Sequence, residues 1–174
     1  GGDERNVENF SEKIELVKSK IENVSNLDEY IAKAGVIINC MAITSHKLGM
    51  ENPLLDIDLN LLSHMHLINA LKENPKKVIY LGSIYQYGNC NGIVKEDHPQ
   101  IPFDTQGINK NAAENFFRVY SKKYNFDVIS LRIVNCFGEN QKVEGEIGLL
   151  GSFVKDIIEG NQVEVYGDKD RKKN

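Results

Sequence analysis

The sequence has little cysteine, no long apolar run and no excess of basic residues, and each absence excludes a class of protein. Its three cysteines, Cys40, Cys90 and Cys136, lack the number and spacing of a disulfide framework or a metal site. No apolar run reaches the ~18 residues that would predict a membrane helix, and the N-terminus lacks the features of a signal peptide. With 21 basic against 25 acidic residues, the chain shows no basic stripe suited to nucleic acid. We therefore predict a cytoplasmic protein with reduced thiols that binds neither membranes nor nucleic acids.

Segments typical of strands alternate with segments typical of helices, which predicts βαβ units and a largely parallel sheet. With 174 residues the chain is long enough for one sizeable core. The expected strands are residues 14–17, 36–38, 78–81, 128–131 and 163–166. The expected helices are residues 26–33, 53–74, 106–124 and 149–159. Residues 36–38 are an apolar β-branched run, so we expect that strand to be buried on both faces.

Small and polar residues follow three of the expected strands, at positions 39–42, 82–83 and 135–138. Ligands of open parallel sheets bind at the carboxyl ends of the strands. We therefore predict a ligand site at this edge of the sheet. The four histidines are scattered along the chain, so we predict no metal site and interpret them as surface or packing residues.

Five segments of the chain resemble, in order and spacing, the extended short-chain dehydrogenases, a family of NAD-dependent nucleotide-sugar epimerases, dehydratases and reductases. The segments are VIINCMA, ENPLLDIDLNLL, VIYLGSIYQYG, NKNAAENFFRVYSKKYNFDVISLRIVNCFGENQ and IIEGNQVEVYGD. The likeness runs from about Ile14 to Asp168. It implies an α/β fold with a Rossmann-like, doubly wound parallel sheet. Residues 1–148 would form a partial NAD(P)-binding domain, and residues 149–174 would begin a smaller substrate-binding lobe.

The resemblance also implies a site for NAD or NADP and a nucleoside-diphosphate sugar. Ser83 would hydrogen-bond the reacting hydroxyl or carbonyl of the sugar, and Asn135 would contact the diphosphate. Lys110 would bind the ribose hydroxyls next to the nicotinamide. Asn60 is equally open to a structural role as a buried amide. The implied cofactor contacts are Cys40, Met41, Ala42, Asn60, Leu81, Lys110 and Ile133.

The family's Tyr-x-x-x-Lys pair moves a proton on the reacting oxygen, and here residues 106–110 read QGINK. Lys110 is present, but Gln106 occupies the tyrosine position. A neutral amide does not exchange a proton at accessible pH, and losing a general acid-base group costs ~10²–10⁴-fold in rate. Tyr85 holds a position that faces the substrate in relatives, so it is a candidate replacement. The dehydratases carry an Asp-Glu pair where this chain has Ile84 and Tyr85, so we do not expect dehydration.

No GxGxxG pattern occurs in the sequence, and no glycine-rich turn follows its first expected strand, although a dinucleotide-binding fold uses such a turn after its first strand to bind pyrophosphate. We therefore expect the first βαβ unit to be missing from this chain or supplied from elsewhere. The end of the substrate-binding lobe is expected to be missing as well.

Two functions follow from these residues. The first is an NAD(P)-dependent epimerase or oxidoreductase that acts on a nucleoside-diphosphate sugar by hydride transfer. The alternative, favoured by Gln106, is a catalytically degraded member that serves as a nucleotide- or sugar-binding sensor or partner subunit. The sequence also leaves open whether Gln106 was introduced to trap a complex. Because family members often pair through their two long helices, here 53–74 and 106–124, a homodimer is a further expectation.

Overall fold

The computed structural model describes residues 4–43, 45–90, 92–138, 141 and 149–163. Within these residues, three parallel strands form one sheet in the order β1-β2-β3. The strands are β1 (Val36–Asn39), β2 (Lys77–Ser83) and β3 (Val128–Ile133). The helices are α1 (Leu27–Lys33), α2 (His46–Glu51), α3 (Pro53–Ile57), α4 (Ser63–Ala70), α5 (Thr105–Tyr124) and α6 (Leu149–Ile158). This parallel sheet with flanking helices confirms the predicted α/β, Rossmann-like fold class.

Each of the two long helical segments begins at a residue whose side chain accepts a hydrogen bond from a backbone N–H of the first turn. The Asn52 side chain accepts a hydrogen bond from the Leu55 N–H at 3.2 Å, and Pro53 occupies the first helical position. At the start of α5, Asp104 accepts from the Gly107 N–H at 2.6 Å. The predicted helix 53–74 is interrupted by a π-helical turn at Asp58–Leu62, which separates α3 from α4.

The core lies between one face of the sheet and helices α4 and α5. Its fully buried members include Leu71, Val78, Tyr80, Ala113 and Phe117. Both helices lie on this face because the crossovers that join successive parallel strands are right-handed. They bury the side chains of alternate strand residues and leave the intervening residues to the opposite face.

The prediction that residues 36–38 are buried on both faces is wrong, since the opposite face is not covered by these helices. Val36 is 47% exposed and Ile38 is 65% exposed. Ile38 pairs with Ile79, and Ile79 pairs with Ile129, which is 45% exposed. An apolar β-branched run therefore predicted the strand correctly, but its burial depends on what packs against each face.

Two further strand predictions have different outcomes. Residues 14–17 are not a strand, and Ile14 and Leu16 are exposed. No described strand lies beside them, and a β-strand requires a hydrogen-bonding neighbour. Of the predicted strand 163–166, residues 164–166 lie outside the described residues, and Val163 is not in a strand. Among the described residues, the helices lack the combined length and apolar character needed to cross a membrane.

Candidate functional site

The carboxyl ends of the three strands meet at one edge of the sheet, as predicted. Asn39 pairs with Tyr80 and Ser83 pairs with Ile133, so the residues after β1, β2 and β3 emerge side by side. A cleft of about 170 Å³ opens beside the loop after β1. It is lined by Ser19, Lys20, Ile21, Glu22, Met41, Ala42, Asp58, Leu59 and Ser63. Two of the predicted cofactor residues, Met41 and Ala42, thus line one concave surface.

Lys110 connects the ends of β1 and β2. Its ammonium is buried and donates to the carbonyl oxygen of Leu81 at 3.0 Å and to that of Met41 at 3.3 Å. Burial lowers the pKa of Lys110 to about 8, although electrostatic interactions with Cys40 and Asp56 act in the opposite direction. An ammonium has three N–H donors, and described residues accept two of them. The third can donate to a hydroxyl group, so this lysine fits the role of holding a ribose.

Gln106 and Asn60 both hold Ile43 in the loop after β1. The Gln106 amide donates to the Ile43 carbonyl oxygen at 2.7 Å. Asn60 accepts from the Ile43 N–H at 3.0 Å and donates to the same carbonyl oxygen at 3.3 Å. Both side chains are buried. In this arrangement Gln106 anchors the loop, and Asn60 fills the structural role that the sequence had left open.

Asp56 links these amides to helix α5. It is fully buried and accepts hydrogen bonds from Asn60 and, at 2.9 Å, from the Asn109 amide. Asp56 therefore joins α3, the π-helical turn and α5 through hydrogen bonds to neutral partners. This network sets the position of the loop that carries Met41 and Ala42.

Asn39 and His64 hold the start of the same loop. Asn39 accepts from the Met41 N–H at 3.1 Å, and its amide donates to Nδ1 of His64 at 3.0 Å. Burial, together with the charge of Lys110, lowers the pKa of His64 to about 3. His64 is therefore neutral, as the bond at Nδ1 requires, and it packs against the rings of Tyr80 and Phe117.

Ser83 lies at the end of β2, where the chain turns into a short 3₁₀ helix, Ile84–Gln86. The Ser83 hydroxyl oxygen accepts from the Tyr85 N–H at 3.3 Å, and the Ser83 N–H donates to the Gln86 side chain at 2.8 Å. A Cβ at Gly82 would lie 2.4 Å from that Gln86 oxygen, so a larger residue there would displace the Gln86 side chain from Ser83. The Ser83 hydroxyl hydrogen is left to donate to a ligand at the sheet edge.

An ion pair that the sequence did not reveal fixes Gln86. Glu114 accepts from Gln86 at 2.7 Å and from Arg132 at 2.5 and 3.1 Å. Burial alone would raise the pKa of Glu114, but the hydrogen bonds from Arg132 and Gln86 outweigh it and lower that pKa. Arg132 also donates to the Tyr87 hydroxyl at 2.5 Å, so the loop after β2 is joined to strand β3.

A second feature missed from the sequence is the pairing of His46 with Asp104. Nδ1 of His46 lies 3.0 Å from a carboxylate oxygen of Asp104, and its ring meets that of Tyr85 edge-on at 4.0 Å. His46 and Asp104 are 58 positions apart in the sequence, so nothing in the sequence indicated that they pair. The one available signal was Asp104 itself, an acidic N-cap directly before the predicted active-site helix.

The other predicted residues lie along the same edge with fewer contacts. Asn135 follows β3 and is exposed, and Ile133, the last residue of β3, is partly buried. Cys40, directly after β1, and Cys136, three residues after β3, are both exposed. All three cysteines are free thiols.

Comparison with known proteins places these features in context. A family model described as the NAD dependent epimerase/dehydratase family matches residues 2–173. A putative UDP-glucose 4-epimerase of Methanocaldococcus jannaschii is 28% identical over 94% of this chain and 55% of the relative. The UDP-glucose 4-epimerase of Mycolicibacterium smegmatis is 27% identical over 91% of this chain and 52% of the relative. The chain thus spans about half the length of the curated relatives it matches.

Solved structures share the fold. A UDP-N-acetylglucosamine 4-epimerase from Methanobrevibacter ruminantium, in complex with UDP-N-acetylmuramic acid, superposes with a TM-score of 0.89 at 24% identity, covering 96% of this chain and 55% of that one. A UDP-glucuronic acid 4-epimerase from Bacillus cereus, in complex with NAD, gives a TM-score of 0.83 at 21% identity, covering 94% and 51%.

Proposed function

Because this chain belongs to the NAD-dependent epimerase/dehydratase family, we propose that the protein containing it is an NAD(P)-dependent epimerase or oxidoreductase. Its substrate would be a nucleoside-diphosphate sugar, altered by hydride transfer. The observation that carries the proposal is Lys110, whose buried ammonium joins the Met41 and Leu81 carbonyls at the ligand-binding edge of the sheet. The named relatives are enzymes, so the alternative of a degraded, purely binding member is not favoured.

The residues at the strand ends would contact different parts of the bound cofactor. NAD or NADP supplies the hydride acceptor and donor when it is bound. Lys110 would donate its third N–H to the ribose beside the nicotinamide, and Met41 and Ala42 would line the groove for the dinucleotide. Cys40, Leu81 and Ile133 would make further cofactor contacts, and Asn60, which is fully buried, would support them by holding Ile43.

Ser83 would donate its hydroxyl hydrogen to the reacting oxygen of the sugar, since its oxygen already accepts from the Tyr85 N–H. Asn135 would contact the diphosphate, and Tyr85 would face the sugar. We propose UDP sugars as the first substrates to test, because the relatives are named as UDP-glucose 4-epimerases. Residues from 149 onward, beginning with α6, would belong to the smaller lobe that covers the substrate.

A homodimer is part of the proposal. The outer face of α5 carries a groove lined by Ala112, Asn115, Phe116, Val119, Tyr120 and Lys123. Val119 is 53% exposed there, and Leu54 at the start of α3 is 78% exposed. Analytical ultracentrifugation would test this pairing: Val119→Asp should give a monomer, while Ile93→Asp, at an exposed loop position, should leave the dimer unchanged.

The free thiols support the proposal of a reducing, cytoplasmic location.

The binding step is tested by calorimetric titration of NAD⁺ and then NADP⁺ into the full protein. Lys110→Met should abolish or strongly weaken binding, while Lys122→Met, an exposed position on the same helix, should leave it unchanged. Turnover of UDP-glucose and UDP-glucuronic acid, followed by NMR, tests the reaction. Unchanged binding in Lys110→Met would reject the site assignment, and absence of both binding and turnover in the unaltered protein would reject the function.

A further inference from the structure

The His46–Asp104 pair lies beside the residues proposed for catalysis. Nδ1 of His46 is 3.0 Å from Asp104, and the His46 ring meets that of Tyr85, two residues after Ser83, with 4.0 Å between centroids. We propose that His46 is the proton-transfer group of the reaction, in place of the tyrosine that Gln106 replaces, with Asp104 as its positioning partner. This inference rests on the proposed function and adds a catalytic residue to it.

Asp104 is held so that it can orient the imidazole. One of its carboxylate oxygens accepts from the Gly107 N–H at 2.6 Å, and the other faces His46. A carboxylate fixed at Nδ1 favours the tautomer with its proton on that nitrogen, which leaves Nε2 to accept and donate a proton. A base oriented by a third group is the arrangement common to many acid-base catalysts.

The surrounding contacts place His46 against the 3₁₀ helix that follows β2. Helix α5 packs so closely on Tyr85 that a Cβ at Gly107 would lie 2.5 Å from the Tyr85 carbonyl oxygen. Gln106 fixes Ile43, three residues before His46, through its hydrogen bond of 2.7 Å. The glutamine that cannot transfer a proton therefore holds a residue close in sequence to one that is able to do so.

Exposure distinguishes His46 from His64, and its neighbours distinguish it from His98. Its side chain is 30% exposed, while that of Asp104 is 9% exposed, so a ligand can reach the imidazole but not its partner. His64 is fully buried, and its lowered pKa of about 3 keeps it neutral. His98 lies against the Tyr87 ring instead. An imidazole is also the side chain that ordinarily exchanges a proton between pH 5 and 8.

The proposed proton transfer balances the hydride transfer. As the carbon-bound hydrogen of the sugar leaves as hydride to the oxidised nicotinamide, the hydroxyl proton on the same carbon moves to Nε2 of His46. The sugar becomes a ketone, and His46 becomes an imidazolium. When the hydride returns to the carbon, the imidazolium gives its proton back to the oxygen.

Turnover of His46 variants is the first test, with the complete protein, NAD⁺ and the UDP sugar that it converts. His46→Ala should lower kcat by ~10²–10⁴-fold, and added imidazole should restore part of it. Asp104→Asn keeps a residue that caps helices well, so it should lower kcat without unfolding the protein. His66→Gln, at an exposed position, is the matched control and should retain the original rate.

A second readout needs no turnover. Diethyl pyrocarbonate modifies exposed imidazole nitrogens, and peptide mass spectrometry reports each histidine separately. A saturating UDP sugar with NAD⁺ should slow modification of His46 and leave that of His66 unchanged. His64 should not react in either case, because it is fully buried.

The outcomes separate the two proposals. Retained turnover in His46→Ala, a loss that imidazole does not restore, or equal modification of His46 with and without ligand would each overturn the role of His46. A larger loss in Tyr85→Phe than in His46→Ala would transfer the role to Tyr85. If the unaltered protein binds neither NAD⁺ nor UDP sugars, the proposed function fails instead, and the role of His46 falls with it.

Discussion

Two buried carboxylates hold the loops of the site by different means. Asp56 is fully buried and, among the described residues, accepts hydrogen bonds from the neutral amides of Asn60 and Asn109. Glu114 is largely buried and accepts from the Arg132 guanidinium as well as from Gln86. The first network fixes the loop after β1, and the second fixes the loop after β2. The comparison teaches that one buried carboxylate can be held by hydrogen bonds from amides and the next by direct contact with a guanidinium.

The largest difference should follow removal of the guanidinium. Arg132→Met leaves Glu114 without its counter-charge, and breaking a buried pair from one side costs about 3–5 kcal/mol. Urea denaturation should show a loss of that size in the free energy of unfolding. The double variant Arg132→Met, Glu114→Gln should recover part of it. A loss below about 1 kcal/mol, the range of exposed pairs, would mean that water reaches the ion pair.

The next effect concerns Lys110, which Asp56 faces across the site. The folded-state pKa of about 8 lies below the ordinary 10.5. Between these values the unfolded chain binds more protons than the folded one, so stability should rise with pH over that window. Lys110→Met should flatten the rise, as measured by urea midpoints at successive pH values. A control, Lys122→Met, should keep it; a rise that survives in Lys110→Met would assign it to another group.

Replacement of Asp56 itself should have a smaller effect. Asp56→Asn replaces one acceptor oxygen with an NH₂ group, which would face the amide NH₂ of Asn60 or Asn109. Two donors cannot bond to each other, so a buried hydrogen bond is lost at a cost of about 1–3 kcal/mol. Thermal and urea unfolding would measure this loss. Asp58→Asn, which removes only the exposed contact with Lys20, should change stability by less than about 1 kcal/mol. Equal losses in the two variants would show that burial of Asp56 contributes nothing.

The smallest expected effect is on the pH dependence of stability in acid, to which Glu114 contributes. Because the pKa of Glu114 is lowered in the folded protein, its stabilisation is present above the ordinary glutamate pKa of ~4.3. It is lost as the pH falls through the folded-state pKa. Glu114→Gln should therefore reduce the dependence of stability on pH below that value. If this variant loses stability at low pH to the same extent as the unaltered protein, then other carboxylates cause that loss.

Much of the fold was predictable because its signals are local. The apolar runs in β1, β2 and β3, the Asn52-Pro53 start and the long α5 pattern each lie within a few residues. The prediction failed at residues 14–17, where strand propensity has no neighbouring strand among the described residues to satisfy it. The prediction that Ile38 is buried failed for a related reason, since the burial of this residue depends on what covers the second face of the sheet.

Candidate site residues could be proposed from the sequence only through the family resemblance. Ser83 and Lys110 were proposed in that way, and their roles stay predictions; in the structure Lys110 joins the ends of two strands. The partners that hold the site are far apart in sequence: Gln106 reaches Ile43, and Arg132 reaches Glu114. His46 was missed because an imidazole shows its role only beside its carboxylate. Pairings of this kind depend on the folded chain and leave no pattern in a single sequence.

The π-helical turn at Asp58–Leu62 sets a limit on how this chain can change its length. Each residue of an α-helix advances the side chains by ~100° around the axis, so a one-residue insertion or deletion rotates everything beyond it. Asn60, within the turn, faces Ile43, and His64, after it, faces Asn39. Deleting one residue here would restore a regular helix and turn one set of side chains away from the loop. The segment from Asp56 to His64 therefore has a fixed number of residues, while the surface loops around it are free to lengthen.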